Sequence, residues 1–490
     1  MLIRQTLLYL PAQLIGPLSQ FIAAVVWTHW LPPAQYGVLT FLVASQDLAY
    51  TICLLWWSQF TVRFLGTLKE DAALLRFQQN ENLVLLVAAL LQTGIVTFAI
   101  LAIGQKLSPA LFGFTLVFFI SRTISHHLIE RARAVGKIGA YTFGQTFGSV
   151  VGFGFAFLIV STLSPSAEAA LAGLAAAQVL GLAWLWYQLQ IPLALPFAQW
   201  PQLRQSLLFG LPLVAAGVIG WVSLNGIRVI VEAARGTEEV GLIAVGWGLG
   251  QRLASVMAML VTAAAFPLAV KRLQNGVKAD GLAQLVSNGA LLLVFVVPAT
   301  FGIIMLSKDA TQLLIAEPFR ATTLVVLPLA AVAGAVRNIR IHFADQVFLL
   351  FERTQYVAYI NLTEAVLVVA FCGIGLYAGG LTGATLGCLV GSGIGAVLSF
   401  GLAYRMFGLR FPFAHAARIL GASALMALAL AHGIWNHWSG HLSVKLTAEI
   451  AVGALVYALW MGLLYPHPFA EAWHLVSKRL LRAIQPAGAK

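Results

Sequence analysis

Charge is what this chain has least of. Asp, Glu, Lys and Arg together make up 9% of its 490 residues, against about 25% in a soluble globular domain, and that excludes an ordinary water-soluble fold. Acid is the scarcer sign, with 17 Asp and Glu against 29 Lys and Arg. Cysteine is nearly absent. Cys53, Cys372 and Cys388 lie far apart, inside apolar runs and without metal-ligand spacing, so neither a disulfide framework nor redox chemistry follows. HExxH, GxSxG, a P-loop and a carboxylate pair on a loop are all missing, which removes the metalloprotease, serine hydrolase and nucleotide-dependent readings. Loops are short as well. None exceeds about twenty residues, which leaves no room for a soluble catalytic domain. An enzyme, a cofactor, a bound metal and a nucleic-acid partner are therefore not expected.

What the chain has instead is apolar length. Hydrophobic residues account for 60% of it, in runs of roughly 20 residues that each suffice to cross a ~30 Å hydrocarbon core. The pattern predicts an all-α polytopic membrane protein with about fourteen spans, near 5–31, 37–62, 82–104, 109–130, 141–163, 169–190, 206–233, 240–267, 285–306, 321–350, 356–378, 381–404, 416–437 and 446–465. The first run is longer than a signal-peptide core and is kept as a span. Of the 29 Lys and Arg, nineteen fall on one side of this arrangement, five on the other, and five inside spans. Positive loops stay in the cytoplasm, so both termini are expected there. Beyond Pro466, Phe469, Trp473, Val476 and Leu480 alternate with Lys478, Arg479 and Arg482, as in a basic amphipathic tail lying on anionic lipid.

Residues 221–253 organise the rest. Thr237-Glu238-Glu239-Val240-Gly241-Leu242-Ile243 sits between two apolar runs there, as Pro33-Ala34-Gln35-Tyr36-Gly37-Val38-Leu39 does near the N-terminus. The offset is 204 residues, from Gly37 to Gly241 (241 − 37). Phe60 and Phe266 precede matching basic ends, and Glu130-Arg131 and Tyr141 echo Glu352-Arg353 and Tyr356. The chain reads as a duplication: six-helix bundles at 1–205 and 206–410 related by a pseudo-two-fold axis, two additional spans at 411–465, and the tail at 466–490.

Proline and glycine mark the helices. Pro11, Pro17, Pro212, Pro267, Pro298 and Pro328 lie inside spans, where the missing amide and the ring favour a bend. Gly379, Gly383, Gly387, Gly391 and Gly395 recur every fourth residue, as do Gly144, Gly148 and Gly152, leaving bare stripes that let a neighbouring helix approach. The GWGLG of 246–250 follows no strand and reads as packing. The Asn361-Leu362-Thr363 sequon is buried in a span.

Against this background, buried arginine stands out. Arg122, Arg252, Arg337 and Arg340 lie near mid-span, where each would cost at least ~2.5 kcal/mol facing lipid. Arg337 and Arg340 share one helix face, and so do Arg122 and His126. Arg228 is nearer an end, could snorkel, and has Glu232 one turn on. The acids available are Asp47, Asp345 and Glu364. Either each arginine is glued to an acid or a carbonyl, or the surplus lines a wet cavity of positive potential. Guanidinium forks match phosphate geometry, so the second case implies an anionic substrate, and within a membrane a lipid diphosphate fits best. Asp47, Asp345 and Glu364 are then the ion-coupling candidates. His126-His127 read as core or cavity histidines, and His432, His437 and His441 with Trp435 and Trp438 as an interfacial belt.

These residues bring the chain close to a known family. It resembles the polysaccharide transporters, lipid-linked oligosaccharide flippases of the multidrug/oligosaccharidyl-lipid/polysaccharide exporter (MOP) superfamily. The likeness rests on LLYLPAQLIGPLSQFIAAVVWTHWLPPAQYGVLTF, on GLPLVAAGVIGWVSLNGIRVIVEAARGTEEVGLIAVGWGLGQRL and on GLYAGGLTGATLG. It implies alternating access between two bundles and outward flipping of a polyprenyl-diphosphate-linked glycan for cell-surface polysaccharide (O-antigen, capsule or exopolysaccharide), beside a polymerase and glycosyltransferases of one pathway. One departure stands at Ile227-Arg228, where such proteins often carry an Asp-Arg pair. A cation-coupled multidrug antiporter of the same superfamily and an integral-membrane glycosyltransferase or ligase are the other readings. The first calls for an acid-rich cavity, the second for an external catalytic loop.

Overall fold

A computed structural model describes residues 2–68, 70–105, 108–191, 194–431, 435 and 438–466. The expected amphipathic tail from 467 on, His432, His437, Lys69 and Lys106 lie outside the described residues. The described chain is helical, in the order α1 (Leu2–Trp30), α2 (Pro33–Cys53), α3 (Leu55–Phe64), α4 (Asp71–Ala102), α5 (Pro109–Ala134), α6 (Ile138–Thr162), α7 (Ala167–Leu189), α8 (Trp200–Arg235), α9 (Thr237–Asn275), α10 (Lys278–Leu314), α11 (Glu317–Ile339), α12 (Asp345–Leu350), α13 (Thr354–Phe407), α14 (Phe413–Ala431) and α15 (Leu442–Leu464). Eleven of the described helices are long and apolar enough to cross a membrane, or twelve if the bent pair α2–α3 counts as one span.

Among the described residues, each apolar run read as a span falls mainly on helix, but several helices run past the expected ends. α4 begins at Asp71, not near 82, because its polar first turns are helix formers and Asp71 sits where the helix dipole favours an acid. Starts are set by local chemistry elsewhere too. Ser108 accepts the Leu111 amide at 3.0 Å ahead of Pro109, and Ser166 accepts the Ala169 amide at 3.2 Å.

The helices break at places other than the prolines. α1 runs on through Pro11 and Pro17, and Pro212, Pro267, Pro298 and Pro328 all lie inside continuous helices. Among the described residues, helical geometry is interrupted at three other places. Leu54 leaves helical geometry (φ −137°, ψ −14°) and bends α2 from α3 by 55°. Arg340–Ala344 form one π-helical turn between α11 and α12. Gly379 and Gly380 divide α13 into two helices.

Gly380, at φ 60° and ψ −146°, holds a conformation that a side chain resists. It turns α13 into a hairpin, and the glycine stripe then closes it. A Cβ on Gly383 would lie 2.0 Å from the Gly375 carbonyl oxygen, one on Gly387 2.0 Å from that of Phe371, and one on Gly391 2.7 Å from the Val368 Cα. Gly380→Ala should cost ~1–3 kcal/mol, seen as a lower midpoint in thermal unfolding in detergent.

Contacts divide the chain into two compact units, Met1–Arg252 with Leu314–Ala333 and Thr354–Val397, and Leu253–Leu313 with Gly334–Arg353 and Leu398–Lys490. In the first, Trp27 and Trp30 of α1 meet Phe153 and Phe157 of α6 edge-on at 5.6 and 5.0 Å. Trp57, Phe60 and Phe77 form a buried aromatic wedge between α3 and α4. Gly246 and Gly250 pack on Val326 and Ala330 of α11, which settles GWGLG as a packing motif. The repeat glycines meet each other: a Cβ on Gly37 would strike the Thr237 carbonyl oxygen at 1.8 Å, and one on Gly241 that of Pro33 at 1.9 Å. Each contact maps onto the other by the same 204-residue shift.

The second unit is built on α10, α14 and α15, whose seam holds Leu293, Ile419, Ala422 and Met461. The Tyr457 hydroxyl donates to the Val294 carbonyl at 2.8 Å, and Lys445 pairs with Asp309 at 2.7 Å.

Candidate functional site

Within the first unit, α1, α2, α5, α8 and α9 contribute to the walls of a cavity of about 330 Å³. Four charged residues line it: Asp47 of α2, Arg122 of α5, Arg228 of α8 and Arg252 of α9. Three guanidiniums thus face one carboxylate. The cavity volume stands at the lower end of ligand-sized pockets. It suits a compact charged group rather than a long glycan.

Arg122 is held from three sides. Its Nε donates to the Gln46 Oε1 at 2.6 Å, one of its terminal nitrogens reaches Asp47 at 3.2 Å, and its guanidinium lies 5.7 Å from the centre of the Phe118 ring. Gln46 is itself fixed, since its amide donates to Thr123 Oγ1 at 3.1 Å, and that hydroxyl donates to Gln92 Oε1 at 2.9 Å. A relay through α2, α4 and α5 therefore orients one arginine before any ligand arrives. The sequence gives no sign of it beyond polar side chains in apolar runs, and Gln46, Gln92 and Thr123 are members of the candidate site's hydrogen-bond relay that sequence reasoning misses.

Arg228 and Arg252 are held by neutral groups. Arg228 donates to the Asn225 side-chain oxygen, and Arg252 to the Gln20 carbonyl at 2.9 Å. Among the described residues neither forms an ion pair with a carboxylate. Glu232 does not take up the role suggested by its spacing from Arg228. Both arginines lie within electrostatic range of Tyr36 and Asp47. Two positive charges at the wall of a low-dielectric cavity repel each other and attract an anion strongly.

The remaining candidates stand elsewhere. Arg340, fully buried at the start of the π-helical turn, pairs with Asp345 at 3.3 Å, and Asp345 accepts from Ser399 at 2.6 Å. Both belong to the second unit, as does the buried Arg337. None of the three lines the cavity described above. Arg340 and Asp345 have the geometry of a structural ion pair, the gluing alternative that the sequence leaves open. Glu364 is fully buried in the α13 hairpin, where a Cβ on Gly395 would touch it at 3.1 Å. Depth in the membrane is legible from an apolar run; the direction in which a side chain points, and which unit receives it, are not.

No family model and no curated protein matches the sequence. Solved structures do match. The lipid II flippase MurJ in its inward closed conformation is similar over 95% of this chain and 99% of its own, with a TM-score of 0.70 and 12% identity. The multidrug transporter DinF-BH, solved in complex with a ligand, matches over 82% of this chain and 96% of its own, at TM-score 0.54 and 14% identity. A MOP-superfamily transporter from Pyrococcus furiosus, whose structure is described as having a binding pocket of reverse polarity that suggests a different function, matches over 82% and 94%, at TM-score 0.51 and 13% identity. The chain therefore has the fold these MOP transporters share, as the sequence resemblance implies, and is a multi-pass membrane protein. At such identities the likeness is one of fold.

Proposed function

We propose that this chain flips a lipid-diphosphate-linked oligosaccharide from the cytoplasmic to the outer leaflet of a bacterial inner membrane, by alternating access of bundles 1–205 and 206–410, for cell-surface polysaccharide synthesis. The observation that carries the reading is the cavity of the first unit, where Arg228 and Arg252 line the wall with no carboxylate partner among the described residues and Arg122 is braced beside them. A diphosphate carries charge on each phosphorus and accepts bidentate hydrogen bonds, which suits guanidinium forks. The lipid stays in the bilayer and only the head group enters, so a modest cavity serves many glycans. The match to a lipid flippase over 95% of the chain, against 82% for the multidrug transporter, favours the same reading. Asp47 is the ion-coupling candidate on the cavity wall, and Asp345 and Glu364 are the candidates outside it. A polymerase and glycosyltransferases of the same pathway are the expected partners.

Asp47 favours one second reading. Its side chain is 46% exposed in the cavity, and a carboxylate there suits a cation-coupled antiporter of organic cations. The test is translocation in vesicles reconstituted with the purified protein. A polyprenyl-diphosphate glycan should cross, while the same glycan on a neutral lipid and a lipophilic cation should not. Cation efflux with no diphosphate transport would establish the antiporter instead.

A further inference from the structure

The second unit holds a cavity of its own, of about 370 Å³, between α10, α14 and α15. Small residues on facing helices open it. Ala299 and Gly302 of α10 and Gly453 and Ala454 of α15 line it, and nothing lies within 4 Å of a Cβ built on Gly302. In the α13 hairpin, glycines bring two backbones into contact; here they leave a space. The cavity opens sideways, since Phe295 and Ile450 in its lining are 46% and 53% exposed. Both belong to helices long and apolar enough to cross a membrane.

Its inner end follows from the sequence. Pro298, inside α10, has no amide hydrogen, so the carbonyl one turn back, on Val294, loses its helical partner. The Tyr457 hydroxyl donates to that carbonyl at 2.8 Å. Val294, Pro298 and Tyr457 all line the cavity, so this bond ties α10 to α15 across its floor. From Val294 to Leu306 the lining of α10 runs about 18 Å, at 1.5 Å per residue. Half of a ~30 Å hydrocarbon core is ~15 Å. The slot is as deep as one leaflet. Under the orientation expected from the charge bias, that leaflet is the outer one.

Charge gathers at the other end. Lys445 pairs with Asp309 at 2.7 Å and lies 3.7 Å from Glu449. One lysine thus faces two carboxyl groups, which lie close enough to share a proton. This end is neutral or acidic, never basic, unlike the arginine cavity. Glu449 lines the slot and is 3% exposed, and its Oε2 has no donor among the described residues. A buried carboxylate oxygen without a donor is costly. An ammonium supplies one in a charge-assisted bond, whereas an anionic head group is repelled. We propose that the slot binds one acyl chain of an outer-leaflet phospholipid whose zwitterionic head group sets a primary ammonium against Glu449 and Asp309, as in a phosphatidylethanolamine. The slot shares no residue with the arginine cavity, and a diphosphate carrier is the wrong charge for it.

Native mass spectrometry of the purified protein counts the lipids it keeps. The native chain is offered equal amounts of phosphatidylethanolamine, phosphatidylglycerol and a short-chain prenyl diphosphate in mixed micelles. It should keep a phosphatidylethanolamine about tenfold over phosphatidylglycerol, and the prenyl diphosphate should not displace it. Gly302→Phe fills the slot and should lose the bound phospholipid. Added phosphatidylethanolamine should raise the thermal unfolding midpoint of the native chain and not of this variant. Glu449→Gln should still keep a phospholipid but hold the two kinds equally. The proposal is overturned by a native chain that keeps no phospholipid or keeps both kinds equally. It is overturned too by displacement with the prenyl diphosphate, by retention that survives Gly302→Phe, or by a preference that survives Glu449→Gln. If Gly302→Phe does not fold, the head-group preference and its loss in Glu449→Gln decide alone. Arg228→Gln with Arg252→Gln should leave the phospholipid in place, so this site and the proposed function are judged separately.

Discussion

Arg228→Gln and Arg252→Gln together should abolish diphosphate-lipid translocation while leaving a folded, monodisperse protein. Among the described residues each arginine is held by a neutral oxygen, from Asn225 and from Gln20, so glutamine strands no buried carboxylate and the fold loses little. What is lost is the field of the cavity. A hydrogen bond from a charged donor contributes about 1.5–3 kcal/mol, and each 1.4 kcal/mol is roughly a tenfold change in affinity. One substitution should therefore weaken head-group binding by about tenfold to a hundredfold, and the pair by more than the assay range. Arg122→Gln is a poorer probe, because it also leaves Asp47 without its partner at 3.2 Å. Arg340→Gln should behave differently again. It leaves a buried Asp345 carboxylate beside Ser399 with its ion pair broken, and breaking such a pair costs about 3–5 kcal/mol. Loss of folded protein, not loss of affinity in folded protein, is the expected result there. Measuring binding and thermal unfolding on the same preparations separates the two groups.

The second large effect is expected where the two repeats touch. Gly37→Ala places a methyl group 1.8 Å from the Thr237 carbonyl oxygen, and Gly241→Ala places one 1.9 Å from that of Pro33. Both obstacles are backbone atoms, which cannot swing aside as a side-chain tip can. Overpacking of this kind costs about 1–3 kcal/mol or more, and here it pries apart α2 and α9 at their first turns. Under the orientation expected from the charge bias, this junction lies at the outer end of the spans. Gly37→Ala should therefore lower the unfolding midpoint and let a water-soluble thiol reagent reach an engineered cysteine at Tyr36, which is buried in the native protein. The double variant should cost less than the sum of the singles, because one separation relieves both clashes. Gly220→Ala is the control: nothing lies within 4 Å of its added methyl group, so this helix-interior change should be neutral or stabilising by about 0.5–1 kcal/mol.

Much of this was legible in the letters. Apolar runs located the helices, and charge in an apolar run located Arg122, Arg228, Arg252 and Asp47, which the fold gathers on one cavity. The 204-residue echo named Gly37 and Gly241, and the structure adds that the two positions touch each other. Other parts were hidden for identifiable reasons. Glu81 stands at the edge of its apolar run, and it is buried against His127 and Arg131 of α5, a partnership no spacing in the sequence announces. His127 has no partner within a helical turn in sequence, since Glu81 and Ser58 come from other helices. Arg337 and Arg340 look equivalent to Arg122 and Arg252 by depth, but they belong to the other compact unit. The interruptions of helical geometry fall away from the prolines, which all lie inside continuous helices. Leu54 and the π-helical turn carry no residue that announces them.

The central claim is that the cavity bearing Arg122, Arg228 and Arg252 recognises the diphosphate itself. Calorimetric titration of the purified protein with a short-chain prenyl diphosphate, beside a lipophilic cation of similar length, tests it most directly. The account predicts that the diphosphate binds, that its affinity falls as salt rises, and that Arg228→Gln with Arg252→Gln removes the heat. Binding of the cation in its place, or diphosphate binding indifferent to those two arginines, would contradict it.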